Sequence, residues 1–500
     1  MIGRAINRFG DWLAHHRSLV WIGAVLVLAI TLRLWQLHVI PPGLLVSEAE
    51  LGIKARELLT DGDSTDLFLY MQAVMQLVID QTPFSLRLLP ALLGAGSVVM
   101  VYLLSRQWFS ERVALLSSLF MATSAWGLHI TRLAEPTSIL LLLIPLHLWL
   151  WTKAIDTDKS KWYLAVGVSL GLLAYTSLPL WLVLLSYIAV LAIFYRTHRH
   201  QVRRYMQPII IVVLSAIIAK LPLLLYMLIA GTIAPAQEAW AEIVGVYESL
   251  LDPMSLLTAA TATLGMFHFS GSPDAVYNAP LLPHLDAIVG ILMIFGLLIA
   301  MRDRKQLRYS LILVLLPIML LPAILSPNPP DPVLSIISLP FISILAAIGI
   351  SELITRWHTI FPRNVLAKQF GAFIIVGSLS LSVYYNFQHY FVAWANTPEV
   401  IAEFNEESTL AANYVSDHEG SGLVVIDSDD EPLYEFLINE DARLISVDEV
   451  SDTDLEEIDY IIDMTLTLDG QLDDRFEIEA IDSVLIPSQT AFYLFTVDRE

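Results

Sequence analysis

Residues 39–52 read VIPPGLLVSEAELG and put one carboxylate, Glu48, just past an apolar run and a Pro-Pro turn. A carboxylate there has two possible occupations. It can move a proton as a general acid or base, or it can sit in a first helical turn, stabilised by the macrodipole with Ser47 or a neighbour as cap. The residues alone leave both open. Arg33 and Lys220 raise a parallel question, because each lies inside an apolar run where an ionisable group is costly and is by default a functional candidate. Lys220, directly before Leu221-Pro222, suits either a phosphate contact or a carboxylate partner. Other chemistries drop out. With no cysteine there is no thiol nucleophile, thiolate metal site or disulfide. No Gly-rich phosphate loop, metal-ligand spacing or nucleic-acid patch occurs, so no metal, cofactor or nucleic-acid partner is expected. The acidic clusters DSDDE (427–431) and DEVSDTDLEE (448–457) lack the spacing and central Gly of an EF-hand and read as solvated surface.

The elements that must position these residues are membrane helices. Of 500 residues, 56% are hydrophobic and only 16% charged, the composition of an integral membrane protein. The N-terminal segment MIGRAINRFGDWLAHHRS is modestly basic, and the apolar run after it has no small-residue cleavage site, so it reads as a retained first span. Apolar runs recur near 19–38, 87–105, 113–128, 137–152, 162–177, 179–195, 207–229, 286–301, 308–325, 333–350 and 370–386, about eleven candidate spans. The turn at TSLPL (176–180) must be a tight or re-entrant hairpin. With a cytoplasmic N-terminus, the inner loops hold 19 of the 28 Lys and Arg and the external segments seven. That bias orients the chain and puts the C-terminal tail outside.

Two external loops are long. In 39–86, SEAELGIKARELLTDG has the spacing of an amphipathic interfacial helix, and LFLYMQAVMQLVI at 67–79 is a second, too short to span. The loop 230–285 opens with a helical pattern around EAWAEIVGVYESLL and becomes Gly-, Ser- and Pro-rich, as a substrate-covering loop would. The tail is different again. From Asn396 onward, 29 Asp and Glu face three Arg. Short β-branched runs alternating with a helical run, EPLYEFLIN, make it a small acidic α/β domain. The expected organisation is a polytopic all-α transmembrane domain over 1–386 and an extracytoplasmic α/β domain over 387–500.

The order LRLWQL, IPPGL, acidic external helix, FLYMQA and TPFSLRLLPALLGAGSVVMVYLLSRQWF resembles the bacterial integral membrane glycosyltransferases of the C-type fold, the protein mannosyltransferase and aminoarabinose transferase-like superfamily. SAWGLHITRLAEPTSILLLL, the LP at 339–340 and YFVAWANTPEVIAEFN extend the resemblance over nearly the whole chain. It implies an inverting hexosyl- or pentosyltransferase of the cytoplasmic membrane. The donor would be a polyprenyl-phosphate sugar, used as substrate, and the acceptor an envelope protein, lipid or glycan at the outer face. Such chemistry needs a carboxylate to deprotonate the acceptor hydroxyl, and cations or hydrogen-bond donors on the departing phosphate.

The active-site motifs are degenerate. Ser47 stands where the family has the Asp treated as base, and Glu48 keeps the second acid. Thr65-Asp66 occupy the place of a Glu-Pro, making Asp66 the other candidate base. Asn328, Asp331 and Leu334 replace the residues of a Glu-x-Pro-His-x-x-Arg stretch. His129 and Arg132 still match a His-x-x-Arg step, with Glu135 close behind. By this resemblance Arg132 is the leading external cation for the lipid phosphate, with Lys54 and Lys220 as further candidates. The rival reading is an inactive glycosyltransferase-like scaffold that presents the acidic domain for binding or assembly.

Overall fold

The computed structural model describes residues 17–60, 66–79, 82–176, 180–198, 206–230, 252–417, 422–426, 431–438, 442–446, 460–463, 476–481 and 492–497. Most of the TSLPL turn (177–179), the helical pattern at 238–251, residues 427–430 of the first acidic cluster and all of the second lie outside them. In chain order the helices begin with α1 (Arg17–Leu34), α2 (Val46–Thr60), α3 (Leu67–Gln76), α4 (Pro83–Trp108), α5 (Glu111–Thr123) and α6 (Ala125–Thr131). They continue with α7 (Ser138–Thr157), α8 (Ser160–Leu173), α9 (Leu180–His198), α10 (Met206–Ala230) and α11 (Pro253–Gly265). Then come α12 (Ala287–Arg302), α13 (Leu307–Ile324), α14 (Pro332–Ser335), α15 (Leu339–Ile360) and α16 (Val365–Gln388). The last are α17 (Pro398–Glu403), α18 (Glu406–Asp417) and α19 (Glu431–Leu437), among strands β1 (Gly422–Ile426), β2 (Ala442–Ser446), β3 (Tyr460–Asp463), β4 (Phe476–Ile481) and β5 (Phe492–Val497).

Packing divides the chain into two units, one of residues 1–35, 65–68 and 90–392, the other of 36–64, 69–89 and 393–500. The first holds the membrane helices. Among the described residues, α4, α7, α13, the Pro332–Ile360 segment and the Val365–Trp394 segment are each long and apolar enough to cross a bilayer. Shorter apolar helices lie at Ser18–Leu34, Ser160–Leu173, Trp181–Ile193, Pro208–Pro222 and Ala287–Arg302. Small residues set the close pairs, as membrane packing requires. Gly167 and Gly171 of α8 lie against Ser215 and Ala219 of α10, and Gly296 of α12 lies against Gly349 and the Leu345 carbonyl of α15.

The run expected to be one span near 113–128 is instead broken, with α5 and α6 bent by 60°. Local hydrogen bonding explains the break. Ser124 takes an extended ψ and caps α6 by accepting from the Gly127 N–H at 3.2 Å, while the Ala125 N–H donates to Asn386 Oδ1 at 2.8 Å. A helix start whose N–H groups are met by side chains has no need of the preceding turn.

The second unit joins the segment that follows α1 to the C-terminal tail. Phe436 of α19 packs on Gly52 of α2, where any Cβ would strike its ring, and Arg56 reaches Glu435 at 4.0 Å. Gln76 Nε2 donates to the Gly52 carbonyl at 3.1 Å and Gln72 Nε2 to the Ser85 carbonyl at 3.1 Å, fixing α3 against its neighbours. The strands form one sheet in the order β2-β1-β3-β5-β4, parallel through β2, β1 and β3, with β5 antiparallel to both β3 and β4.

Candidate functional site

In the second unit, Ser47 and Glu48 lie in the first turn of α2 and face different ways. Ser47 is exposed and Glu48 is buried, as a rotation of about 100° per residue dictates. Glu48 meets Arg87 of α4 in a two-pronged ion pair, with Nε to Oε1 at 3.1 Å and Nη2 to Oε2 at 2.6 Å. The same guanidinium donates to the carbonyls of Pro41 at 2.8 Å and Gly43 at 2.9 Å and lies 5.8 Å from the Phe404 ring. Gly43, at φ +60°, runs against the Phe404 carbonyl, so the turn admits no side chain there. Glu48 therefore anchors the IPPGLL turn through Arg87. In the sequence Arg87 is only one basic residue among others, because nothing local pairs positions 39 residues apart.

Lys54, on the same helix, is exposed and paired with Glu50 at 3.0 Å. In the first unit, Asp66 is half-buried just before α3 and accepts from the Phe68 N–H at 2.9 Å, the geometry of a helix cap. Burial raises its carboxyl above the usual range, opposed by that hydrogen bond. Lys220 of α10 borders an apolar cavity between α7, α8, α9 and α10.

Arg132, expected as an external phosphate ligand, is fully buried at the C-terminal end of α6. It donates to the carbonyls of Leu32 at 2.7 Å and Trp35 at 2.9 Å and to Tyr390 Oη at 3.2 Å, and stacks near the Tyr390 and Phe391 rings. Arg33 of α1 does the converse, donating to the Ala122 carbonyl at 3.1 Å and the Met121 carbonyl at 3.4 Å at the end of α5. Arg132 thus serves the carbonyl-rich end of Arg33's own helix, and Arg33 that of α5, the helix before the one Arg132 ends. His129 is buried edge-on to Tyr390, with ring centroids 4.8 Å apart, and 6.1 Å from the His389 ring.

The residue of the HITRLAE stretch that does reach a polar surface is Glu135. Its Oε2 accepts from Tyr277 Oη at 3.1 Å and its Oε1 from Thr137 Oγ1 at 3.2 Å. Burial raises its carboxyl, opposed by Tyr277 and Thr137 and reinforced by the nearby Asp331 charge. Asp331 caps α14, accepting from the N–H groups of Val333 at 3.0 Å and Leu334 at 2.9 Å, and its charge also acts on Asp274. The Asp331 charge thus acts on both Glu135 and Asp274 where α7 begins and α13 ends, and Tyr277 donates to Glu135 there. Carboxyls held toward the protonated form, as Glu135 and Asp274 are, mark sites of proton chemistry more often than chance. The sequence singled out Glu135 and noted Asp331; Asp274 and Tyr277 carried no signal of their own. Beneath them Asp286 receives Ser382 Oγ at 2.8 Å and Asn386 Nδ2 at 2.9 Å, and the same Asn386 holds the start of α6.

Comparison with known proteins bears on this geometry. The family model described as dolichyl-phosphate-mannose-protein mannosyltransferase matches residues 63–228. A putative mannosyltransferase of Bacillus subtilis, YkcB, is 33% identical over 119 residues, 22% of this chain, and the match spans only 17% of that protein. Among solved structures, ArnT from Cupriavidus metallidurans bound to undecaprenyl phosphate aligns with a TM-score of 0.53 at 12% identity, covering 95% of this chain and 97% of ArnT. The archaeal oligosaccharyltransferase AglB from Archaeoglobus fulgidus, in complex with an inhibitory peptide and a dolichol-phosphate, aligns at 0.51 and 12% identity over 90% of this chain and 70% of its own.

Proposed function

The chain has the C-type fold of the integral membrane glycosyltransferases, and from that premise we propose that it transfers a sugar from a polyprenyl-phosphate donor to an envelope acceptor at the outer face of the cytoplasmic membrane. The observation that carries the reading is the end-to-end alignment with a protein that binds undecaprenyl phosphate. In this reading the five long helices, the bent α5–α6 pair and the five shorter apolar helices make eleven spans. The positive-inside bias then places the N-terminus in the cytoplasm and the acidic tail outside. Glu48, Asp66, Glu135, Tyr277 and Asp331 all fall at the outer side of that topology.

Between the two candidate bases, Asp66 is the better suited. Its carboxyl is held toward the protonated side by burial, which moves a base closer to neutral working pH. Both oxygens of Glu48 are engaged by Arg87, so its role is to hold the loop that carries Ser47. Arg132 takes the same kind of positioning role, and Lys54 is the exposed cation among the phosphate candidates. Turnover is tested with purified protein and radiolabelled polyprenyl-phosphate hexoses, comparing wild type, Asp66→Asn and Glu48→Gln. Sugar release that falls about 100-fold or more in Asp66→Asn, the size of a general-base contribution, supports the assignment. Release equal in wild type and Asp66→Asn removes Asp66 from the mechanism.

One observation favours the scaffold alternative. Ser47 is exposed at the place where the resemblance expects the base, and a hydroxyl cannot do that work unaided. Absence of turnover with every polyprenyl-phosphate sugar tried, by a protein that still binds the carrier lipid, selects the inactive scaffold.

A further inference from the structure

Helices α7 and α13 have the outer carboxylates at one end and an apolar recess at the other. At the C-terminal ends of α4 and α7 and the N-terminal end of α13 lies a cavity of about 410 Å³, walled by residues such as Ile144, Leu148, Leu182, Val183 and Leu311. A second, of about 570 Å³, adjoins it and shares Trp151, Leu173, Val183, Tyr187 and Val190. Two apolar chambers thus flank α9, meeting at Tyr187.

The polar atoms in this wall are spent on one another. Trp151 Nε1–H donates to Tyr187 Oη at 3.1 Å, and His147 Nε2 pairs with the same oxygen at 2.7 Å. His147 Nδ1 pairs with Ser169 Oγ at 2.8 Å, and Ser169 Oγ–H donates to the Val166 carbonyl at 2.8 Å. Since Ser169 gives its proton to Val166, His147 must donate from Nδ1 and accept the Tyr187 hydroxyl at Nε2. These four side chains satisfy one another, while Gln107 on the first chamber and Lys220 on the second stand outside that chain of hydrogen bonds.

The rim is the opposite. Gln107, Asp156, Gln306 and Arg308 edge the first chamber. Arg308 is oriented over the Phe109 ring, with its guanidinium hydrogen-bonded to the Trp108 carbonyl and Gln306 Oε1. Lys153 and Lys161, at the adjoining ends of α7 and α8, lie over Trp149 and Trp162. Arg304, Lys305 and Lys159 add to a face richer in cations than in acids.

We propose that these chambers bind an anionic phospholipid of the leaflet opposite the outer carboxylates, with one acyl chain on each side of Tyr187 and the phosphate at Arg308 on the rim. Two adjoining chambers suit a two-chain lipid, and Arg308, on a face richer in cations than in acids, favours a negative headgroup over a zwitterionic one. The site is separate from the outer-face chemistry proposed above and stands whether or not that chemistry holds.

The test is native mass spectrometry of the delipidated full chain, titrated separately with phosphatidylglycerol, phosphatidylcholine and undecaprenyl phosphate. We expect one phosphatidylglycerol retained at about tenfold lower concentration than phosphatidylcholine. Leu148→Trp, which fills the first chamber, should abolish that binding, and Arg308→Gln should reduce the headgroup preference. Equal retention of the two phospholipids by wild type overturns the proposal. So does binding unchanged in a folded Leu148→Trp, or one-for-one displacement of phosphatidylglycerol by undecaprenyl phosphate, which would make the recess a carrier-lipid site. Should Leu148→Trp fail to fold, the wild-type comparison and Arg308→Gln on the rim decide.

Discussion

Both carboxylate oxygens of Glu48 are held by the guanidinium of Arg87, 39 positions away, in an ion pair shut off from solvent. Removing one member of such a pair strands a buried charge, which costs about 3–5 kcal/mol. Arg87→Gln and Glu48→Gln are each expected to lower thermal stability by that order. Arg87→Lys should recover little, because an ammonium cannot reach two carboxylate oxygens and the Pro41 and Gly43 carbonyls together. Combining Arg87→Gln with Glu48→Gln should cost less than the sum of the single changes. Thermal melts of wild type, the two single Gln variants and the double variant in detergent measure the coupling.

Ser47 occupies an exposed position one residue from Glu48, so a carboxylate placed there faces outward without disturbing the Arg87 pair. Under the glycosyltransferase reading, Ser47→Asp is expected to raise sugar release by at least tenfold while leaving the melting temperature within about a degree. Labelled-donor turnover reads the first and a melt the second. No gain in turnover would mean that position 47 does not face the acceptor.

Gly52 gives its missing side chain to Phe436. Gly52→Ala forces a Cβ into that ring, and overpacking of this kind costs about 1–3 kcal/mol. The loss should appear as easier proteolysis of the tail in Gly52→Ala, relieved by a second change, Phe436→Leu. If Gly52→Ala leaves cleavage unaltered, α19 does not rest on α2.

His284 is buried beside Trp126, its Nε2 accepts from the Ser272 N–H at 3.4 Å, and burial, aided by the charge of His389, pushes its imidazole down to about 3. The folded protein therefore holds it neutral where the unfolded chain, near 6.5, would bind a proton. Its contribution to stability is full above 6.5 and is lost as pH falls from there toward 3. At pH 5 the loss is about 2 kcal/mol. Melts at pH 7 and 5 should show wild type losing more than His284→Gln, and equal losses in the two would contradict the prediction.

What the sequence determined by itself is what depends on composition and local spacing. Long apolar runs of few charges give membrane helices wherever they occur, because an unpaired backbone group in hydrocarbon costs too much to leave. The short amphipathic segments after Ser47 and Asp66 were legible for the same reason, as was the resemblance carried by SEA, HITRLAE and their order. The occupations of the charged side chains were not. Arg132 reads as an external cation until the carbonyls of Leu32 and Trp35 are seen to enclose it. Glu48 reads equally as base or cap until Arg87 arrives from another helix. Tyr277 comes to Glu135 from 142 residues away. Each of these depends on which donor the fold brings within 3 Å of which acceptor, and that is fixed by how helices with small residues at their contacts settle against one another, a property no local stretch of sequence contains.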